Sequence, residues 1–294
     1  MSPVLPARPL LPHKGGCLVA PGAPNALVAR LIERCGFGAV YLSGAAVTNT
    51  LTALPDIGLL TLTEMVQQVR YVAQAVKIPV IVDADTGFGG PMTVMRTVKE
   101  LESAGAAAIQ IEDQQDPKRC GHLKGKRLIS KSAMVQKIRA AIKARSSPDL
   151  LIIARTDACD VEGFAAAVDR AQAYREAGAD ILFPEALESA KEFSAFAKQV
   201  KAPLMANMTE FGKTPYLTVK EFEAMGYRIV IFPMTALRAM MKAAEETLLK
   251  LKQSGTQKDL LSRMQTRQEL YDLIDYKDYE RIEKELGEDP RSSG

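Results

Sequence analysis

The chain is predicted to be an α/β protein: a (β/α)8 barrel of the TIM type with additional C-terminal helices. Three observations predict it. Apolar runs of strand length alternate with helix-period segments almost to the end of the 294 residues. Most of those runs are continuously apolar, as strands covered on both faces of a parallel sheet are. Several helices also end in a small residue or Met followed by Gly and then enter a strand, at Cys35-Gly36, Ala104-Gly105, Ala177-Gly178 and Met225-Gly226. Gly there suits the left-handed cap after a helix. Roughly eight such units in about 250 residues match a barrel. A doubly wound open sheet would carry Gly-x-Gly-x-x-Gly after its first strand, and none follows it here.

In order, strands are expected at 17–23, 39–43, 80–85, 107–113, 150–157, 181–185, 204–209 and 228–234. Amphipathic helices lie between them, among them 62–76, 93–104, 131–145 and 164–177. Beyond the last strand the pattern changes to helices without strands, at 235–255, 256–275 and 276–287. The expectation is one domain over 1–294, with the barrel at about 17–255 and a helical extension at about 256–287. That extension packs on its own barrel or is exchanged between subunits. The tail 288–294 reads as disordered.

Hydrophobic residues make up 47% and charged residues 25%, as in ordinary soluble globular proteins. A net charge of +3 is too small to argue for nucleic acid or a membrane surface. The cysteines at 17, 35, 120 and 159 form neither a disulfide framework nor a zinc spacing. His13 and His122 are the only histidines, which excludes a His-rich metal site. No apolar run is long enough to span a bilayer, and the Pro-rich N-terminus lacks the apolar core of a signal peptide. A reduced, cytoplasmic setting is expected.

In a barrel enzyme the chemistry sits at the C-terminal ends of the strands, and the unusual polar residues fall there repeatedly. Strand two ends in Tyr41-Leu42-Ser43-Gly44, strand three in Asp83-Ala84-Asp85, strand four in Glu112-Asp113 and strand five in Arg155-Thr156-Asp157. Strand six adds Glu185, and strand seven adds Asn207, Thr209 and Glu210. Asp83 and Asp85 are two apart, so on a strand their side chains point the same way. Close carboxylates repel unless a cation or proton lies between them. Glu112 would add a third, and an all-oxygen set without His points to Mg2+ or Mn2+. Alternatively one Asp caps a helix or pairs with Arg155. Arg155, with Arg238 and Arg267 further on, suits a substrate bearing several carboxylates. Each Arg could equally form a structural salt bridge. Ser43, Gly44 and Ala45 read as a turn with free backbone N–H groups, good for an anion.

The segment Lys118-Arg119-Cys120-Gly121-His122 is a poor core segment. Its cations should favour a thiolate at Cys120, and Gly121 frees the backbone. A thiol so placed suits giving or taking a proton, with Lys118 and His122 beside it. Cys17, Cys35 and Cys159 have no such setting and are assigned to packing. The loop from Asp113 to about Ser130 is long for a barrel and reads as a lid over bound substrate.

These residues, together with Leu54-Pro55-Asp56, Asp83-Ala84-Asp85-Thr86-Gly87-Phe88-Gly89, Ala154-Arg155-Thr156-Asp157-Ala158, Phe183-Pro184-Glu185-Ala186, Asn207-Met208-Thr209-Glu210-Phe211-Gly212 and Met264-Gln265-Thr266-Arg267, resemble the isocitrate lyase / phosphoenolpyruvate mutase superfamily over nearly the whole chain. The likeness is greatest to members that cleave 2-methylisocitrate. It implies a Mg2+-dependent retro-Claisen cleavage to pyruvate and succinate. Asp83, Asp85 and Glu112 would hold the metal, partly through water. Tyr41 would be a candidate base, and Cys120 would protonate the succinate enolate. Arg155, Glu185, Asn207, Thr209, Arg238 and Arg267 would orient carboxylates, and Ser43, Gly44, Ala45 and Gly121 would offer backbone donors. The resemblance also implies a homotetramer with exchanged C-terminal helices.

Phe183 stands where isocitrate lyases carry a bulkier Trp, leaving room for an extra methyl. Two features depart from the pattern: Ala45 replaces a common Gly, and the lid runs Leu123-Lys124-Gly125-Lys126-Arg127. Lid differences of this kind also mark lyases of 2,3-dimethylmalate and other alkylmalates, which remain alternatives. An oxaloacetate-type hydrolase, an isocitrate lyase, a phosphonomutase (which would not need Cys120) and a non-catalytic dicarboxylate-binding barrel stand further off.

Overall fold

A computed structural model describes residues 10–11 and 16–287. The tail expected to be disordered at 288–294 lies outside the described residues, as does most of the Pro-rich N-terminus. Two compact units are present, Met1–Leu237 and Arg238–Gly294.

The first unit holds all eight expected strands: β1 Leu18–Pro21, β2 Val40–Leu42, β3 Val80–Asp83, β4 Ala108–Glu112, β5 Leu151–Thr156, β6 Ile181–Pro184, β7 Met205–Asn207 and β8 Ile229–Phe232. All ladders are parallel, in the orders β2-β3-β4-β5-β6 and β1-β8-β7. Bridges Gly22↔Tyr41 and Leu182↔Leu204 join the two sheets at both seams and close the ring. The chain is a TIM-type barrel.

Helices follow the strands in turn: α1 Ala26–Arg34, α2 Gly44–Thr52, α3 Leu62–Ala75, α4 Pro91–Ala104, α5 Lys131–Ala144, α6 Ala158–Val161, α7 Phe164–Glu176, α8 Ala190–Gln199 and α9 Val219–Ala224. Their ends have identifiable causes. A Thr61/Glu64 capping box opens α3, and Pro91 occupies the first turn of α4. Gly36, Gly105, Gly178 and Gly226 all have φ between 86° and 107°, the left-handed stop their sequence positions predict.

Period-two alternation divides the core and places the polar residues. Val40, Leu42, Val80, Val82, Ile109, Ile111 and Ile152 face the helices within the larger apolar cluster. Tyr41, Ile81, Ala108, Ile153, Ile181, Phe183, Met205 and Ile229 fill the barrel interior as a separate cluster. Each such fully buried large side chain contributes roughly 1.5–3 kcal/mol. Continuing the inward rows by two leads from Ile81 to Asp83, from Ala108 through Gln110 to Glu112, from Ile153 to Arg155 and from Met205 to Asn207. The polar end of the barrel is thus the last inward step of otherwise apolar rows.

The helix α10 Thr235–Ser254 begins in the first unit, which ends at Leu237, and continues in the second. The second unit differs from its expectation in one element. Residues 256–275 are not a single helix but a 3-10 turn, Lys258–Arg263, and then α11 Arg267–Leu273. A capping box between Thr266 and Glu269 starts α11 afresh, which interrupts the run. The last described element is α12 Tyr276–Gly287.

Candidate active site

Asp83 closes β3 and is held on both oxygens. Oδ2 accepts from Gly44 N at 3.1 Å, while Oδ1 accepts from Asp85 N at 3.1 Å and from Gln110 Nε2 at 3.0 Å. Asp85 lies beyond the strand with φ 48°, so strand alternation is not what aims it. A left-handed turn does, fastened by the Asp85 N–H on Asp83. The two carboxylates nevertheless converge. A Cβ on Gly44 would stand 3.0 Å from Asp85 Oδ1 and 3.3 Å from Asp83 Oδ2, so both border the space this glycine leaves open. The expected free N–H groups of Ser43–Ala45 are corrected in part. Gly44 N is spent on Asp83, and Ser43 caps α2 by accepting from Ala46 N at 3.4 Å.

Burial raises the Asp85 carboxyl to about 7, against the opposing pull of Lys118. Burial likewise raises Glu112, against Arg155. Asp85 Oδ1 meets Lys118 Nζ at 2.7 Å without a well-directed hydrogen bond, and Glu112 Oε1 has no partner. Among the described residues no three Asp, Glu, His or Cys side chains form a closed ligand set. Asp83, Asp85 Oδ1, held only by Lys118, and the unpartnered Glu112 Oε1 are all hard donors and fit a Mg2+ or Mn2+ ion that keeps part of its water.

In the opposite half of the mouth the acids are matched by cations. Arg155 Nε and Nη2 bond Asp157 at 2.9 and 3.0 Å, Nε lies 3.3 Å from Glu112 Oε2, and Nη1 lies 3.0 Å from Glu185 Oε2. Its guanidinium also stacks 5.4 Å from the Phe183 ring. Burial works to raise the Glu185 carboxyl, but Arg155 and then His122 hold it well below the ordinary range. Asn207 Nδ2 reaches both Glu185 oxygens at 3.3 Å. Asp113 lies outside this set: it accepts from Tyr174, Thr156, Arg170 and Asp157 N, and its role is structural.

The loop after β4 is pinned at its base by a Gln114↔Leu128 bridge and at its tip by Lys126, whose ammonium reaches Gly121 O and Asp157 Oδ1. Gly121 has no room for a side chain, since a Cβ would stand 2.3 Å from Arg155 Nη2. Lys213 N donates to His122 Nδ1 at 3.1 Å, which leaves the ring proton on Nε2, 3.2 Å from Glu185 Oε1. The expected thiolate at Cys120 is corrected. Burial holds the thiol above its ordinary value, and the neighbouring cations are engaged elsewhere. Tyr41, the candidate base, stands beside Asp83. It is fully buried, donates to Gln110 Oε1 at 2.8 Å, and burial with Asp83 beside it drives the phenol well above its ordinary value.

These groups surround a cavity of about 60 Å3, lined among others by Tyr41, Ser43, Ala45, Asp83, Lys118, Cys120, Gly121, His122, Arg155, Phe183, Glu185, Asn207 and Thr209. That volume is smaller than a carboxylate substrate. A model of the phosphoenolpyruvate phosphomutase family matches residues 8–252.

The chain belongs to that family.

Its similarity to a 2-methylisocitrate lyase of Aeropyrum pernix is 60% identity over 97% of this chain and 91% of the relative. Among solved structures, a 2,3-dimethylmalate lyase superposes with TM-score 0.88 at 36% identity, covering 95% of this chain and 93% of that one. A phosphonopyruvate hydrolase in complex with oxalate and Mg2+ superposes with TM-score 0.83 at 32% identity, covering 91% and 93%.

Of the residues the family resemblance marked, Asp85 and Glu112 stand just beyond the cavity lining, against Lys118 and Arg155. Arg238 lies in the first turn of α10, and Arg267 opens α11; both belong to the second unit. Sequence reasoning gave no role to Asp56, Gln110, Lys126, Ile231, Pro233 or Met234, although all of them line the cavity or hold its walls. Strand alternation back from Glu112 would have found Gln110. A lysine in a Gly-rich loop carries no signal that it is buried, so Lys126 was hidden.

Proposed function

We propose that the chain is a carbon–carbon lyase that cleaves 2-methylisocitrate to pyruvate and succinate. The observation that carries this reading is a half-buried thiol, held above its ordinary pKa, at the wall of a carboxylate-lined cavity, in a chain 60% identical to a 2-methylisocitrate lyase. Phe183 is buried on the same wall and leaves room for the substrate methyl.

Asp83 and Asp85 would hold Mg2+, with Glu112 nearby, partly through water. When bound, that ion would polarise the substrate hydroxyl and its carboxylate. A base at the cavity wall takes the proton of the substrate hydroxyl, the C2–C3 bond breaks, and the electron pair passes to the succinate part as an enolate. Cys120 gives its S–H proton to that carbon, a step for which a thiol held above its ordinary value is in the right form. Arg155, with Asn207 and Thr209, orients carboxylates. Gly121 and Ala45 line the cavity and would offer backbone N–H donors. Arg238 and Arg267 would supply further charge for carboxylates.

No described helix is long and apolar enough to cross a membrane, and the activity fits propionate breakdown in the cytoplasm. Apolar side chains exposed on α10 and α12, including Met241, Leu248, Leu249, Ile282 and Leu286, support a homotetramer that covers them, with the C-terminal helices exchanged. A stable monomer in light scattering would contradict that assembly.

The test of the activity is pyruvate release from 2-methylisocitrate, isocitrate and 2,3-dimethylmalate, each with Mg2+ or EDTA. Fast EDTA-sensitive turnover of 2-methylisocitrate is expected. Preference for dimethylmalate would move the substrate and keep the chemistry.

A further inference from the structure

The cation that stands among the carboxylates of β3 is a side chain of the protein itself. Lys118 is 4% exposed, and its ammonium touches two acids at once, Asp56 and, at 2.7 Å, Asp85 Oδ1. These two acids have different standing. Asp85 adopts the left-handed region at φ 48° and presents this same Oδ1, held by Lys118, to the space over Gly44, beside Asp83. Asp56 comes from the loop between α2 and α3 and lines the substrate cavity. Lys118 opens the segment that carries Cys120, Gly121 and His122. A Cβ on Gly58 would meet the Lys118 stem at 3.8 Å, so the α2–α3 loop is also packed along this side chain.

We propose that Lys118 is the resident counter-ion of the site, shared between Asp56 and Asp85, and that a divalent cation arriving at Asp85 displaces it onto Asp56 alone, so that cation binding resets the loop bearing Cys120. The physical basis is that one carboxylate oxygen in a dry pocket does not hold an ammonium and a divalent ion together. Two positive charges a few ångströms apart repel strongly where water does not screen them. The ammonium is the one that moves, because it sits on four rotatable bonds and has a second carboxylate within reach. Asp56 is then a positioning residue. It keeps Lys118, and through it Cys120, against the cavity once Asp85 has been taken. Cation binding and loop placement are coupled through this exchange and need no substrate.

The inference rests on reading Asp83 and Asp85 as the cation site. The experiment titrates the full-length protein with Mg2+ by calorimetry, and follows hydrogen exchange of residues 117–127 with and without saturating Mg2+, all without substrate. Lys118→Met is expected to bind Mg2+ about tenfold or more tightly, although it loses activity. Asp56→Asn is expected to bind Mg2+ several-fold more weakly, because the whole ammonium then falls to Asp85. In Lys118→Met/Asp56→Asn the Asp56 effect should nearly vanish. Mg2+ should change loop exchange in the native protein and leave it unchanged in Lys118→Met. A native protein that binds no Mg2+ would sink the cation reading and this inference with it. Normal Mg2+ binding that Lys118→Met leaves unaltered or weakens, or an unchanged native loop, would overturn the exchange alone.

Discussion

Across the barrel mouth, acids at neighbouring strand ends live in opposite surroundings. Around β3 and β4, Asp56 and Asp85 share one ammonium, and Asp85 Oδ1 and Glu112 Oε1 lack a hydrogen-bond partner. Around β5 and β6, Asp157 and Glu185 are matched by Arg155, Lys126, Asn207 and His122. Burial is equally deep on both sides, yet it raises the carboxyls of Asp85 and Glu112 while Arg155 and His122 keep that of Glu185 low. The unfinished half is suited to accepting a cation. The finished half is suited to holding a loop and a substrate carboxylate in place.

The largest effect expected is on the proton donor. Cys120→Ser should lower turnover by about 10^2–10^4-fold while leaving the circular dichroism and Mg2+ binding of the native chain. Near-native turnover would remove the donor assignment. Next comes the keystone of the finished half. Arg155→Met would leave Asp157, Glu185 and Glu112 without their shared cation, and should cost about 3–5 kcal/mol in denaturant unfolding. An unchanged midpoint would show that the network is not structural.

How much of this was legible in the sequence follows the same division. All eight strands and the four Gly stops are local signals, because continuous apolar runs and left-handed caps depend on few neighbours. Asp83, Glu112, Arg155 and Asn207 were legible because strand alternation carries them inward. The turn that aims Asp85 was not, since its φ is set by a hydrogen bond to Asp83 that no spacing announces. Nor was the burial of Lys118 and Lys126, or the donor role of Tyr41, which depend on partners 62, 31 and 69 residues away. The same reason bears on Cys120: Lys118 and His122 beside it are held by distant acids.

The unfinished half also has a pH signature. Asp85 binds a proton below about 7, well above an ordinary carboxylate, and a proton and a metal compete for it. Mg2+ affinity should therefore be level at higher pH and fall as pH drops through about 7, by up to about tenfold per unit. Calorimetry across pH 5.5–8.5 (a range of about three units around that value) checks this, and an affinity flat down to the acid end would contradict it. The smallest effect is expected at Tyr41. Tyr41→Phe removes a donor to Gln110 and should reduce turnover less than about tenfold, the scale of one neutral hydrogen bond. A loss of several orders of magnitude would restore the phenol as the base.

The central claim is that Cys120 moves a proton to and from the succinate carbon within a cation-bearing cavity. Microscopic reversibility allows that step to be read directly. In D2O with Mg2+, pyruvate and succinate, the native protein should exchange succinate methylene hydrogen for deuterium, followed by proton NMR. Cys120→Ser, folded and binding Mg2+, should exchange it negligibly. Exchange by the serine variant at the native rate would contradict the account.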